Sequence, residues 1–160
     1  MLRTHMYRIL GLLFLGFLVA GCGGAIHNYK AYYGKAKQRE VLALIKGEAR
    51  VEEGFLIDDH IYVFFVAVDD KVTHGLFSGM AQSVLVEPGR RHLFVKYRNG
   101  QMYANGQLWL DAAKGKTYIV RSLNKGMLVS FWIEDEETGE RVGGISGSEP
   151  DNNPDNNKDN

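Results

Sequence analysis

The chain lacks several features on which protein chemistry often depends. Its 160 residues include one cysteine, Cys22, so no disulfide can form within the chain and no cysteine cluster can hold a metal. Lysine plus arginine and aspartate plus glutamate number 19 each, and this balance gives no reason to expect nucleic-acid binding. The apolar run over residues 9–20 is shorter than the roughly 20 residues that a membrane-spanning helix needs. An apolar core must therefore stabilise the folded part.

Sequence motifs of catalysis are missing as well. The glycines are spread singly, without the spacing that holds a phosphate or a dinucleotide. Ser78 and Ser83 lack the flanking glycines of a nucleophile elbow. The histidines at positions 27, 60, 74 and 92 have no paired spacing, so we expect no metal site.

The first residues have the pattern of a secretory signal. Arg3 and Arg8 precede the apolar run, which ends in the small residues Ala20 and Gly21. A positive start, an apolar core of roughly 7–15 residues and small residues after it are typical of a signal peptide. Without Arg3 and Arg8 the remaining chain has a formal charge of −2.

The segment LVAGC, residues 18–22, resembles the lipobox of bacterial lipoproteins. The resemblance implies cleavage between Gly21 and Cys22, a diacylglycerol on the Cys22 sulfur and an acyl chain on its amino group, with no other cofactor. A second acyl chain makes membrane attachment stable. Gly23 stands where an aspartate would favour the inner membrane, which implies an outer-membrane lipoprotein that faces the periplasm. The alternatives are a general signal peptide with an incidental cysteine and an uncleaved short anchor.

Composition divides the chain into four parts. We expect a signal peptide over residues 1–21, a lipidated tether over 22–37, a β-domain over 38–144 and a tail over 145–160. The tail contains the sequence PDNN twice and cannot bury apolar surface, so we expect it to be disordered.

The middle of the chain has the period-two pattern of β-strands. Runs of β-branched and aromatic residues are separated by turn-forming residues, as in all-β folds. The segments that we predict as strands are 39–47, 60–68, 82–87, 91–98, 106–112, 116–123 and 127–135. They indicate an antiparallel β-sandwich, or a small open barrel, of about seven strands. The first segment also suits a short helix, and helix is expected, if anywhere, only between residues 28 and 45.

Residues 60–142 resemble PEGA-like envelope domains and small bacterial lipoproteins. The shared pieces are VAVDDK (66–71), SVLVEPGRRHLFVKY (83–97), LWLDAAKGKTYIVR (108–121) and SFWIEDEETGERV (130–142). Their glycines and prolines serve turns, and Asp70 stands where that group usually has glycine. The resemblance implies a β fold and says little about activity.

Four residues are candidate contacts for a ligand or partner. Trp109 alternates against two leucines, so it faces outward if those leucines are core. Arg90, Arg91 and His92 form a small basic spot that can meet lipid head groups or a partner's carboxylates. Trp109, Trp132, Phe131, Tyr103 and Tyr118 can make a platform for stacking sugars, although residues inside strands are ordinarily core.

The sequence therefore predicts a lipid-anchored envelope protein whose β-domain is a non-enzymatic binding or scaffold module. Its expected partners are the membrane, through Cys22, and an envelope protein or polymer, whereas nucleic acid is not expected. The alternative is a module that binds peptidoglycan or another polysaccharide, or a carbohydrate-acting enzyme that uses the acids at 58–59, 69–70 and 134–137. Acids at strand ends are more often solvated turn residues. Oligomeric state is left open.

Overall fold

The computed structural model describes residues 28–54, 58–73 and 79–148, which form an all-β domain. Its strands are β1 (Tyr29–Lys30), β2 (Ala43–Gly47), β3 (Ala49–Glu52), β4 (Asp59–Val68), β5 (Lys71–Val72), β6 (Ser83–Val86), β7 (Gly89–Asn99), β8 (Met102–Ala112), β9 (Thr117–Asn124), β10 (Val129–Asp135) and β11 (Arg141–Ile145). A single 3₁₀ turn spans Arg39–Val41. Within these residues, no helix has the length and apolar character to span a membrane.

The all-β prediction is confirmed. Each of the seven segments predicted as strands overlaps a strand, namely β2, β4, β6, β7, β8, β9 and β10. The segment 39–47 divides into the 3₁₀ turn and β2. The finer expectation of a sandwich of about seven strands is not confirmed, because eleven strands share one hydrogen-bonded sheet.

The sheet curls into an open half-barrel. Its strand order is β1-β6-β2-β9-β10-β11-β8-β7-β4-β3, with β5 paired to β4. The curl brings β4 against the other side of the sheet, where the Val63 amide donates to the Glu48 carbonyl and the Phe65 amide donates to the Ala81 carbonyl, both at 2.8 Å. Gly47 permits this approach, because a Cβ there would lie 1.8 Å from the Val63 carbonyl oxygen.

The core lies inside the curl and follows the period of two along each long strand. In β7, Leu93, Val95 and Tyr97 are buried, and in β8 Leu108 and Leu110 are buried. Their counterparts from the facing wall include Ile45, Val84, Val120 and Ile133. The residues between them point outward and are half-buried or exposed.

The folded domain begins earlier than the predicted boundary at residue 38. β1 pairs parallel with β6, and both Ala31 and Tyr32 are buried. The Tyr32 hydroxyl accepts a hydrogen bond from the Lys37 amide at 3.1 Å, which holds the following loop. The described part of the predicted tether therefore packs on the sheet. The signal peptide, Gly21, Cys22 and residues 149–160 of the predicted tail lie outside the described residues.

We expect Gly89→Val to lower the melting temperature more than His92→Ala. Gly89 has φ +109° at the start of β7, a conformation that a β-branched residue resists at a cost of about 1–3 kcal/mol. His92→Ala keeps the backbone amide that donates to Asp69 at 2.8 Å, and a surface change of this kind usually costs within about 0.5 kcal/mol. Equal melting temperatures in a thermal unfolding experiment would contradict this account.

We also expect opposite effects from removing two buried tyrosine hydroxyls. The Tyr97 hydroxyl is buried and has no hydrogen-bond partner among the described residues, so Tyr97→Phe should raise the free energy of unfolding by about 1 kcal/mol. The matched variant is Tyr118→Phe, because the Tyr118 hydroxyl accepts from the Ala113 amide at 3.0 Å. Its loss should lower the free energy of unfolding by about 1 kcal/mol. Urea unfolding measures both, and shifts of the same sign would refute the prediction.

Candidate functional site

The structure brings together three of the four predicted contact residues. β7 and β8 pair antiparallel, with Arg90 opposite Asp111 and His92 opposite Trp109. Arg90, His92 and Trp109 occupy the outward positions of these strands, and the Arg90 guanidinium lies 5.2 Å from the centre of the Trp109 ring. The outward position of Trp109 agrees with the alternation against its buried leucine neighbours.

Both arginines of the predicted basic spot have carboxylate partners. Arg90 donates to the two carboxylate oxygens of Asp111 at 3.0 and 2.9 Å. This hydrogen bond holds the pKa of the Asp111 carboxyl below its usual value. Arg91 donates to Asp69 at 2.8 Å and to the Glu87 and Pro88 carbonyls. The positive charge predicted at residues 90–92 is therefore largely neutralised within the domain.

Arg91 lies apart from the other three residues, beside a cleft of about 320 Å³. The cleft lies under the β4–β5 turn and is also lined by Tyr32, Tyr33, Asp70 and Lys71. Lys71 donates to the Tyr32 carbonyl at 2.9 Å, and its ammonium lies 5.1 Å from the centre of the exposed Tyr33 ring. Most of the polar groups that surround Arg91 therefore form hydrogen bonds or ion pairs within the domain.

Asp69 fixes the turn above this cleft. It has φ +50°, which is rare for a residue other than glycine. One of its carboxylate oxygens accepts from the His92 amide at 2.8 Å, and its own amide donates to the His92 carbonyl at 2.7 Å. The Asp69 carboxylate, which the sequence predicts to belong to a turn, therefore links the β4–β5 turn to β7.

The outward residues continue from Trp109 along β8, β7 and β4 as one surface, which we call the platform. Its cross-strand rows are Tyr62, Arg98 and Tyr103; Phe64, Lys96 and Asn105; Phe94 and Gln107; and His92 and Trp109. Outward positions 90 to 98 of β7 span about 26 Å at the usual rise of a strand. A groove of about 320 Å³ in the platform is lined by residues that include Val66, Phe94, Asn105 and Gln107.

Aromatic rings and amides dominate the chemistry of the platform. The Tyr62 and Phe64 rings stack with centres 5.7 Å apart. Phe94 and Tyr103 are exposed, and Asn105 and Gln107 place amides beside the groove. Neither Lys96 nor Arg98 forms an ion pair with a carboxylate of the described residues, and Lys96 lies 5.3 Å from the Tyr103 ring centre. This surface can stack flat apolar faces and bond hydroxyl, amide or carboxylate groups.

The five aromatic residues that were proposed as one stacking surface lie in different parts of the domain. Tyr118 is buried, and Phe131 packs against the core, where its ring lies 2.7 Å from the position of a Cβ on Gly106. Tyr103 and Trp109 are on the platform. Trp132 points outward on β10, on the far side of β11, and donates to Glu134 at 2.6 Å.

The acids of residues 134–137 are held by hydrogen bonds to side chains within the domain. Glu134 accepts from Trp132 and from Arg121, and these hydrogen bonds lower the pKa of its carboxyl despite partial burial. Glu136 accepts from Lys46 at 2.7 Å, and Glu137 accepts from Lys116 at 2.6 Å. These partners give each acid a structural role. Among the described residues, no three His, Cys, Asp or Glu side chains are grouped so as to hold a metal ion.

The sequence reasoning missed a buried carboxylate at the closure of the sheet. Glu48 accepts from the Ser122 amide at 2.9 Å and from its hydroxyl at 2.8 Å, and it forms an ion pair with Arg50. The sequence around Glu48 does not indicate this role, because its partners Ser122 and Arg50 lie on other strands.

The chain matches no protein-family model, no curated protein and no solved structure.

Proposed function

We propose that the protein is a lipid-anchored envelope lipoprotein whose β-domain binds a partner through the platform without catalysing a reaction. Signal cleavage before Cys22 and acylation of Cys22 would attach it to the periplasmic side of the outer membrane. The LVAGC segment at residues 18–22 and the charged, then apolar, residues before it support the anchor. The resemblance of residues 60–142 to PEGA-like domains supports the envelope location.

The observation that carries the binding role is the exposure of aromatic rings on one wall of the sheet. Tyr103 is 53% exposed and Phe94 is 38% exposed, although both belong to the longest hairpin of the domain. Residues of this size usually contribute to a core when a strand can bury them. Exposed rings beside a groove are typical of a recognition surface.

A second candidate, glycan recognition, is favoured by the side chains between those rings. Asn105 and Gln107 supply donors and acceptors of the kind that sugar hydroxyls need, and the rings supply flat apolar surface. Peptidoglycan and anionic polysaccharides also carry carboxylates, for which Lys96 and Arg98 are available. The platform therefore suits an envelope polysaccharide better than a strongly basic partner.

Sedimentation with purified peptidoglycan tests glycan recognition. We expect the lipidated chain in detergent to cosediment with peptidoglycan. The double variant Phe94→Ala/Tyr103→Ala should bind about thirtyfold more weakly if each ring contributes about 1 kcal/mol to binding. Tyr33→Ala is the matched control, because Tyr33 is an exposed aromatic residue beside the other cleft. Unchanged binding in the double variant, or an equal loss in the control, would exclude the platform as the glycan site.

A further inference from the structure

The end of the half-barrel at the β9–β10 loop carries exposed apolar side chains. We call this group the apolar tip: Met102, Leu123, Met127 and Leu128. Met127 is fully exposed and Leu128 is 73% exposed. The β7–β8 turn lies at the same end, since the Asn124 side-chain amide donates to the Met102 sulfur at 3.8 Å. Contiguous exposed apolar surface marks a contact with a protein or with a membrane.

The direction of β1 shows from which end the N-terminal segment enters the sheet. β1 runs parallel to β6, which runs antiparallel to β2, and β2 runs parallel to β9. β9 ends at Asn124 in the apolar tip, so β1 runs away from the tip. The first residue of β1 therefore faces the end of the sheet that carries the tip.

The distance from Asn28 to the tip matches the reach of the segment that follows Cys22. The Ser83 hydroxyl donates to the Asn28 side chain at 2.7 Å, and Ser83 is level with Ile119 through the registers of β6, β2 and β9. Ile119 is five residues from Asn124, or about 17 Å along the strand. The six steps from Cys22 to Asn28 span at most about 20 Å. A lipid on Cys22 can therefore lie level with the tip.

We propose that the apolar tip inserts into the lipid head-group region of the membrane that holds the lipid anchor. This inference rests on the proposed acylation of Cys22. Met127 and Leu128 enter the interface, and the long axis of the half-barrel stands away from the bilayer. Side chains of this kind bind interfaces in proportion to the apolar area that they bury.

Charge at the tip identifies the lipid surface. Lys125 in the β9–β10 loop and Arg98 near the end of β7 are basic, whereas Glu52 and Asp59, which pair across β3 and β4 at the same end, are acidic. Glu52 also accepts from Arg50 at 2.9 Å. Charges of both signs at this end give anionic head groups no basic cluster to bind. The tip therefore suits zwitterionic lipids such as phosphatidylethanolamine, and its insertion depends on apolar contact.

Spin labels on the full lipidated chain test the proposal. A nitroxide is attached to Met127→Cys or, as the control at the opposite end of the half-barrel, to Lys114→Cys in the β8–β9 turn. Both side chains are exposed, and an acylated Cys22 does not react with the label. The protein is reconstituted in vesicles of phosphatidylethanolamine and phosphatidylcholine, and the accessibility of each label to oxygen and to a water-soluble nickel chelate is measured.

We expect the label at 127 to gain oxygen access and to lose nickel access several-fold, while the label at 114 behaves as in water. Water-like behaviour of both labels would overturn the proposal. A label at 127 that is shielded from both oxygen and the nickel chelate would also overturn it, because such shielding indicates a contact with protein. Mass spectrometry of the same samples reports acylation of Cys22 separately. If Cys22 is unmodified, the proposed lipid anchor is wrong, and the insertion of the tip, which rests on it, is wrong as well. If the chain is acylated but both labels behave as in water, only the insertion of the tip is refuted.

Discussion

Replacing Gly47 with alanine is expected to destabilise the domain by about 3 kcal/mol or more, or to prevent its folding. The new Cβ would lie 1.8 Å from the Val63 carbonyl oxygen and 2.7 Å from its carbon. Both are backbone atoms, so no side chain can move aside. The same carbonyl belongs to the strand that closes the curl through the hydrogen bond between Val63 and Glu48. Relief of the clash therefore separates β4 from β2.

Urea unfolding measures this effect, and Gly126→Ala is its matched control. A Cβ at Gly126 meets no atom within 4 Å, but the residue has φ +81°, so alanine there should cost about 1 kcal/mol of backbone strain. A Gly47→Ala variant as stable as Gly126→Ala would show that the two sides of the sheet do not meet at Val63.

Replacing Cys22 with serine is expected to abolish acylation of the chain completely. A hydroxyl cannot replace the sulfur to which the diacylglycerol is bonded in lipoproteins, so cleavage by the lipoprotein route should fail as well. Because the chain has one cysteine, no other thiol can substitute for Cys22. Mass spectrometry of the purified protein measures acylation of residue 22 and cleavage before it together.

The control for this prediction is Gly23→Ser, which changes the neighbouring position and keeps the sulfur. It should remain acylated and membrane-bound. Native protein with an unmodified Cys22, or a Cys22→Ser variant that is still cleaved before residue 22, would contradict the lipid anchor.

The long strands could be predicted because each carries its own alternation. β7 shows this in Leu93, Val95 and Tyr97, which are buried, while their neighbours face outward. The short strands have no such signal. β3 exposes most of its four residues and is defined by its pairing with β4.

β11 was not among the segments predicted as strands, for a different reason. It contains Gly143 and Gly144, which disfavour strands in isolation. Gly143 is required by close packing, since a Cβ there would lie 2.4 Å from the Trp109 carbonyl oxygen. A Cβ on Gly144 would meet side-chain atoms only, at 2.9 Å from the Ser148 hydroxyl and 3.0 Å from the Trp109 ring nitrogen. Such contacts depend on the partner strand and leave no local pattern in the sequence.

The candidate site was predicted in part. Alternation placed Trp109 on the outward face, but it could not show that Asp111 and Asp69 neutralise Arg90 and Arg91, because register between strands decides these pairs. The aromatic residues of β4 were missed because a strand that is apolar on both faces predicts a second covering layer. In the described residues the outward rings of Tyr62 and Phe64 instead form part of the platform and are half-buried.

Site-specific photo-crosslinking in living cells tests the central claim most directly. A photoreactive residue replaces Asn105 or Gln107 on the platform, or Glu136 on the β10–β11 turn as the control, in the full lipidated chain. The account predicts that the two platform positions capture an envelope partner, seen as a protein adduct or as covalent attachment to peptidoglycan, and that position 136 captures neither. Adducts from position 136 with none from 105 or 107 would show that the platform is not the binding surface.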